Sequence, residues 1–319
     1  MPFRIGTRGS ELALAQADMV EVALRTADCE VDLRRVIIKT TGDLRPDLRL
    51  TEFSQGEAPI LDKGIFTKEL EVALAAGEID AVVHSLKDVP TQLGGEFEIA
   101  AVLPRATEDV LLSNHPGGFG GLPEGATVAT SSVRRARLLR WKRPDLKIAE
   151  IRGNVPTRIR KLREAEHGFD ATVLARAGLE RLGINPGGEC VSFELLPLGD
   201  FPPAAGQGAV AIEIRRADGE ARARLAAINH AETFQRITAE RALLHLLDAG
   251  CHTPVAIDTR IEGGTLHLRA LVFDENDADA APKIAAATAP AEDATGGRRR
   301  RSNNSASEQP TDFPPQANE

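Results

Sequence analysis

The residues best suited to chemistry lie in a basic segment, residues 127–163, which holds 12 of the chain's 39 basic side chains. Only Asp145 and Glu150 are acidic there. Arg134 and Arg135 fall in the first turn of a predicted helix, where the helix dipole and free N–H groups already supply positive potential. Two more cations there indicate an anionic ligand, because guanidinium groups bind carboxylates and phosphates bidentately.

The same pattern of strand, turn and helix recurs later in the basic segment. Lys147–Arg152 is predicted to be a strand, followed by the turn Gly153–Asn154 and a helix with Pro156 in its first turn and Arg158 just beyond. The two arginine-bearing corners predict a site for several carboxylates or phosphates. The alternative of solvated helix faces is favoured for Arg140, Lys142, Arg143 and Lys161.

A third polar cluster, His84–Pro90, follows the predicted buried strand Ile79–Val83. Open α/β sheets place their ligands at the carboxyl ends of strands, which makes Lys87 and Asp88 candidates for a site. A surface ion pair between these two neighbours is the competing interpretation. A similar corner, with Arg8 and Ser10, follows the first predicted strand.

Cys251 comes just after the predicted amphipathic helix Glu232–Leu247. The negative end of a helix disfavours a thiolate, so residue chemistry alone predicts a packing cysteine rather than a nucleophile. The chain's three cysteines form no CxxC pair and its seven histidines show no metal-ligand spacing. The sequence therefore predicts neither a disulfide framework nor a metal site.

Strands that alternate with helices predict an α/β protein with parallel sheets and helices on their faces. Crossings near Pro104 and Gly206 predict two lobes that hinge over a ligand. A helix capped by Thr67 and a mobile segment, Leu44–Asp62, are also expected. The predicted domains are residues 1–103 with 206–225, residues 104–205, a small α+β domain at 226–275 containing a hairpin, and a disordered tail at 276–319.

Composition limits the function classes. The net charge of −8, the absence of Tyr and the low aromatic content of 4% argue against nucleic acid as a partner. No apolar run reaches the length of a membrane span, and the sequence starts directly with a predicted strand rather than a signal peptide. We therefore expect no membrane partner and a cytoplasmic location.

Several motifs occur together in a specific order, and each of them alone is weak. They are IGTRGSELALAQA, KGIFTKELE, VHSLKDVP, TSSVRRA, RGNVPTR, AGLERLG, GQGAVAIE, AERALL and GCHTPV. The ordered set, from about Arg4 to Phe273, resembles the hydroxymethylbilane synthases, also called porphobilinogen deaminases. That resemblance implies two periplasmic-binding-protein-like (type II) α/β domains plus a small α+β C-terminal domain.

The same resemblance implies a transferase of tetrapyrrole biosynthesis that deaminates porphobilinogen and joins it head to tail into hydroxymethylbilane. It implies Asp88 as the catalytic carboxylate and a dipyrromethane cofactor bound by a thioether to Cys251. It assigns the other residues as follows: Ser85, Lys87, Thr130, Ser131, Ser132, Arg134, Arg135 and Arg158 bind the cofactor, and Arg8, Ser10, Lys63, Arg152 and Arg181 bind substrate.

The resemblance also implies a monomer that acts on a free small molecule. Two rival functions remain open at this level: a two-lobed anion or solute receptor without chemistry, and a nucleic-acid binder that uses the basic segment. One departure concerns the C-terminus, where the family's further strand and long amphipathic helix are not evident after Asp274. We therefore expect an exposed hairpin face and a less stable third domain.

Overall fold

Three sheets organise the computed structural model, which describes residues 1–44, 66–248 and 253–294. The strands are β1 (Phe3–Thr7), β2 (Leu33–Ile37), β3 (Ala81–Ser85), β4 (Phe97–Val102), β5 (Asp109–Ser113), β6 (Thr127–Ala129), β7 (Lys147–Ala149), β8 (Ala171–Ala175), β9 (Ser192–Leu195), β10 (Val210–Arg215), β11 (Val255–Glu262), β12 (Thr265–Val272) and β13 (Lys283–Pro290). The helices are α1 (Glu11–Ala27), α2 (Thr41–Leu44), α3 (Lys68–Ala75), α4 (Val133–Lys142), α5 (Val155–Arg163), α6 (Arg176–Arg181), α7 (Gly219–Ala226) and α8 (Ala231–Leu246).

The first two sheets have the same topology. Their strand orders are β2-β1-β3-β10-β4 and β7-β6-β8-β5-β9. In each sheet the first three strands are parallel and the fourth runs antiparallel to both of its neighbours. The prediction of wholly parallel sheets is therefore wrong. The expected pair of similar α/β domains is confirmed.

The antiparallel fourth strand follows from how the chain crosses between the lobes. The chain leaves the first sheet after β4 and enters the second as β5, and after β9 it returns to the first sheet as β10. A strand that arrives from the other lobe is free to run opposite to strands joined by helical crossovers. Both crossings lie where the prolines and glycines indicated them, between residues 103 and 108 and between residues 196 and 209.

The cores follow from the apolar faces of these elements. In the first lobe, Ile5, Val20 and Ile212 are buried in one cluster, and the second lobe has its own cluster around Leu111 and Leu138. Ser10 and Ser132 accept hydrogen bonds from backbone N–H groups in the first turns of α1 and α4 and so cap these helices. The predicted cap by Thr67 is wrong, because its side chain makes no capping hydrogen bond to α3.

A third sheet, of order β11-β12-β13, lies against α8 on one face. Ala256, Leu271 and Phe273 pack into the core of the second lobe, which joins the two bodies. The prediction that no strand follows Asp274 is wrong for β13, which pairs antiparallel with β12 over its whole length. All eight residues of β13 are nevertheless exposed, in keeping with the expectation of an exposed face in this domain.

Some predictions concern residues outside the described ranges. They are most of the segment Leu44–Asp62, residues 295–319 of the tail, Lys63 and Cys251. The boundaries of the three domains also stay predictions. Within the described ranges, no helix has both the length and the apolar character that a membrane span requires.

Candidate active site

The loop after β3 carries the first group of candidate residues. Ser85 exchanges hydrogen bonds with Gln16 of α1, at 2.7 and 3.0 Å, and the N–H of Leu86 donates to the carbonyl of Ala209 at 3.0 Å. The next two residues, Lys87 and Asp88, are exposed to solvent. The loop is therefore anchored by its first residues and presents the two charged side chains outward, at the carboxyl end of the strand.

The electrostatic neighbours of Lys87 show what lies around this loop. Asp88 acts to raise the pKa of Lys87, but loss of solvation and the charges of Arg135 and Arg158 outweigh it, so the pKa is lowered. Arg135 and Arg158 belong to the second lobe. An exposed lysine that is also poorly solvated and close to charges from the opposite lobe lies in a cleft. The β3 loop and both arginine corners thus face one another.

At the first corner, Arg134 is 5% exposed and points into the protein. One terminal nitrogen donates to the carbonyl of Pro202 at 2.7 Å, and the other donates to Asp109 at 2.7 Å and to Gln207 at 3.2 Å. Loss of solvation lowers the pKa of Arg134, and the charge of Asp109 opposes that shift. The sequence analysis assigns Arg134 to cofactor binding. In the structure, both of its terminal nitrogens donate hydrogen bonds to other groups of the protein.

Arg135 is paired with the same carboxylate. Its guanidinium donates to Asp109 at 2.7 Å and to the carbonyl of Val173 at 3.0 Å. Burial would raise the pKa of Asp109, but the two adjacent guanidinium groups hold it well below its usual range. Asp109, the residue that organises this corner, was not among the predicted site residues. Its only sequence signal was its position at the start of an extended segment after Pro104.

The second corner is more open. Asn154 accepts a hydrogen bond from the N–H of Thr157 and so caps α5. Arg158 donates from Nε to the carbonyl of Gly153 at 2.8 Å, and its terminal nitrogens make no hydrogen bond to any described residue. Loss of solvation and the charge of Arg135 lower its pKa, while Asp88 opposes the shift. Arg158 is thus a half-buried cation with a free guanidinium edge toward the cleft.

The remaining cofactor candidates support the corners through short-range contacts. Thr130 is 5% exposed, and its hydroxyl accepts a hydrogen bond from the N–H of Ser132 at 3.2 Å. Ser131 donates to the carbonyl of Ile151, which ties the first corner to the segment that leads into the second. The Ser131 hydroxyl therefore fixes the two corners relative to each other, a role that spacing in the sequence does not indicate.

The substrate candidates are more dispersed. Arg8 stacks on Phe66, with its guanidinium carbon 4.2 Å from the ring centroid. Arg152 pairs with Glu150 at 2.6 Å. Arg181 donates to the carbonyl of Gly208 at 2.5 Å, and loss of solvation lowers its pKa. The described geometry therefore joins Arg181 to the crossing segment, whereas Arg152 has an acidic partner on the protein.

Comparisons with known proteins identify the family of this chain. Residues 3–223 match a family described as porphobilinogen deaminase, dipyromethane cofactor binding domain, and residues 234–296 match its C-terminal domain. A porphobilinogen deaminase of Rubrobacter xylanophilus is 45% identical over 275 residues, covering 86% of this chain and 85% of the relative. Another from Nitrobacter winogradskyi is 45% identical over 273 residues, covering 84% and 82%.

A nutrient binding protein from Burkholderia cenocepacia, solved with methionine bound, is 16% identical with a TM-score of 0.40, and the match covers 75% of this chain and 97% of that one. The family match over both parts of the chain favours an enzyme over the rival interpretation as a non-catalytic receptor. The chain therefore belongs to the porphobilinogen deaminase family and is a transferase that makes hydroxymethylbilane from porphobilinogen with a dipyrromethane cofactor.

Proposed function

We propose that Asp88 is the catalytic carboxylate of this reaction and that Cys251 carries the cofactor. One observation supports the role of Asp88 above all: its charge, that of Lys87 and the two arginine corners act on one another across the cleft. A growing oligopyrrole carries an acetate and a propionate on every ring. A cleft with one exposed carboxylate among several cations suits a polyanionic chain that develops positive charge at one point.

The chemistry explains why a carboxylate is needed. Loss of ammonia from porphobilinogen leaves an electron-poor azafulvene whose ring nitrogen bears positive charge. Asp88 stabilises that charge and assists the proton transfers of deamination and of ring joining. Its position on a solvent-exposed loop, next to Lys87, leaves the carboxylate accessible to the bound chain. Lys87 in turn binds carboxylates of the bound chain, because its poorly solvated ammonium gains most from an anionic partner.

The residues around the cleft fit a dipyrromethane group. The open edge of Arg158 and the ammonium of Lys87 are free to take its carboxylates, and we assign Ser85, Thr130, Ser131 and Ser132 to the same group. When bound, this cofactor supplies the pyrrole terminus to which the first substrate is joined. Arg134 and Arg135 contribute by holding the corner in shape through Asp109, and Arg135 adds positive potential to the cleft.

We assign the substrate's carboxylates to a second set of groups, contributed by both lobes: Arg8, Ser10, Lys63, Arg152 and Arg181. Two crossings between the lobes allow the cleft to widen or close as the chain lengthens. Arg181 supports this proposal because its bond to Gly208 links the second lobe directly to one crossing.

Mass spectrometry of the purified enzyme tests the proposed attachment. We expect an increment equal to one dipyrromethane on the peptide that contains Cys251, and its loss in Cys251→Ser. Cys190→Ser is the matched control, because this thiol is half-buried and already bonded to the carbonyls of Pro186 and Ser192. An active wild-type enzyme of unmodified mass would contradict the assignment.

Steady-state kinetics test the role of Asp88. In Asp88→Glu the carboxylate is kept but displaced by one methylene, so we expect the cofactor mass to be retained and kcat to fall by about a hundredfold, as a 1 Å misplacement can produce. Equal kcat values for variant and wild type would remove Asp88 from the mechanism.

We also propose that the enzyme acts as a monomer in the cytoplasm, on free porphobilinogen and without nucleic acid. The net charge of −8 opposes association with polyanions. Light scattering after size-exclusion chromatography should give the mass of a single chain, 34.2 kDa plus the cofactor. Twice that mass would show a dimer instead.

A further inference from the structure

Arg241 of α8 makes contacts that its position in the sequence does not predict. Its guanidinium donates to the carbonyls of Pro90 and Thr91, at 2.7 and 2.9 Å, and more weakly to that of Val89 at 3.4 Å. These three carbonyls belong to consecutive residues that begin immediately after Asp88. One side chain from another part of the fold therefore holds the segment that leaves the β3 loop.

The surroundings of Arg241 make it an unusual choice for a purely structural contact. Loss of solvation lowers its pKa, and the charge of Glu213 on β10 opposes that shift. A poorly solvated cation is costly, and an apolar side chain of similar length would fill the space between α8 and the loop without that cost. What an apolar side chain lacks is the ability to hold three carbonyls in one arrangement.

The beginning of the loop is tied to the same acidic group. Nε2 of His84 lies 2.7 Å from Oε2 of Glu213, and both side chains are buried. Glu213 is fully buried, and Arg241 is within range of its charge. The β3 loop thus follows a residue that is bonded to Glu213, and its end is held by Arg241.

Arg241 also connects the β3 loop with α8, two parts of the molecule whose relative position matters for the reaction. It lies in α8, ten residues before Cys251 in the sequence, and α8 packs on the third sheet through Leu243 and Leu244. The loop that it holds contains Asp88, which belongs to the first lobe. The distance between a tethered pyrrole chain and the carboxylate depends on how firmly these parts are joined.

We propose that Arg241 is a positioning residue, which sets the place of Asp88 relative to the cofactor-bearing part of the fold by binding the carbonyls of residues 89–91. The inference rests on the proposed roles of Asp88 and Cys251. It predicts that loss of Arg241 slows the chemical steps and leaves the binding of porphobilinogen nearly unchanged, because Arg241 touches the loop's backbone and not the cations of the cleft.

The test compares holoenzymes whose cofactor content has been confirmed by mass. For Arg241→Met we expect kcat to fall about tenfold, with KM within twofold of wild type, since small displacements of reacting groups cost rate rather than affinity. Arg241→Lys keeps the charge but reaches fewer carbonyls, and its kcat should lie between those of Arg241→Met and wild type.

Arg137→Met is the matched control. Arg137 is another buried arginine that joins two parts of the fold, and it donates to the carbonyls of Glu275 and Asp277 at 3.0 and 2.5 Å, away from the loop. Its kcat should stay within twofold of wild type although its thermal stability falls. Equal loss of kcat in both variants would show a general structural effect and overturn the proposal.

A kcat within twofold of wild type for Arg241→Met would overturn it as well. Should this variant not accumulate as folded holoenzyme, Arg241→Lys is judged by the same criterion. Asp88→Glu, measured in parallel, separates the two hypotheses. If Asp88→Glu is slow and Arg241→Met is not, only the positioning role fails; if Asp88→Glu is as fast as wild type, the proposed role of Asp88 fails first.

Discussion

The two arginine corners have the same local design and different surroundings. Each is a short strand, a polar turn with a capping side chain and a helix that carries arginine in its first turns. At the first corner Arg134 and Arg135 are buried against Asp109, whereas at the second Arg158 keeps its terminal nitrogens free of described partners. The first corner is built around a protein carboxylate and the second is open to a carboxylate from outside.

The difference teaches that an arginine at a helix start is not by itself a ligand site. The cost of two cations near the positive end of a helix must be offset, but the sequence does not tell which anion does so. Asp109 is the first residue of β5, and it can reach the first corner only because β5 pairs with β8, which in turn pairs with β6. The second corner lies farther toward the edge of the same sheet and has no such neighbour among the described residues.

The largest expected effect is on stability at the first corner. Asp109→Asn leaves two buried guanidinium groups without an anion, so we expect the free energy of unfolding to fall by about 3 kcal/mol. Equilibrium unfolding in urea measures this free energy for wild type and variant. In the control Asp200→Asn, which breaks an exposed pair with Lys142, the loss should be under about 1 kcal/mol. Equal losses of unfolding free energy in the two variants would mean that burial does not increase the contribution of an ion pair to stability.

The same pair gives a pH dependence. The pKa of Asp109 is lower in the folded protein than the unfolded value of about 3.9, so its contribution to stability is present above that value and is lost as pH falls toward the folded pKa. The stability difference between wild type and Asp109→Asn should therefore be constant near pH 7 and shrink below about pH 4. A difference that grows on acidification would contradict the pairing.

At the second corner we expect a smaller loss of stability than at the first corner, together with a loss of cofactor binding. Arg158→Met removes a cation that has no acidic hydrogen-bond partner on the described part of the chain. The free energy of unfolding should therefore change by less than about 1 kcal/mol. Assembly of the cofactor from porphobilinogen should need about tenfold more porphobilinogen, the value of one charged hydrogen bond. Titration of apo-enzyme, followed by mass, measures this. If the variant needed no more porphobilinogen than wild type, the second corner would not be a ligand site.

The smallest effect is expected two residues further along the same helix. Arg160 is mostly exposed and pairs only with Glu164, four residues on, among the described side chains. Arg160→Met should therefore leave cofactor assembly unchanged and alter the unfolding free energy by less than about 0.5 kcal/mol. A binding defect equal to that of Arg158→Met would show that total charge, rather than position, attracts the ligand.

Much of the site could be predicted because its local geometry is encoded within short segments. The helix bounds at Val133 and Lys142, the caps Ser132 and Asn154, and the strand end before Lys87 all follow from neighbours within a few positions. The strand β13 was missed because its residues make no buried face of their own, and its only support is backbone pairing with β12.

By itself the sequence determined the fold class, most of the strands and helices, the family and which cations stand at the starts of helices. Only the tertiary structure decided which of those cations are already neutralised, because Asp109 and Arg134 are 25 residues apart and meet through strand pairing. It likewise joined Arg241 to the loop 152 positions earlier. Local propensity acts over one or two turns, whereas a buried charge is stabilised by whichever partner the packing brings within about 3 Å.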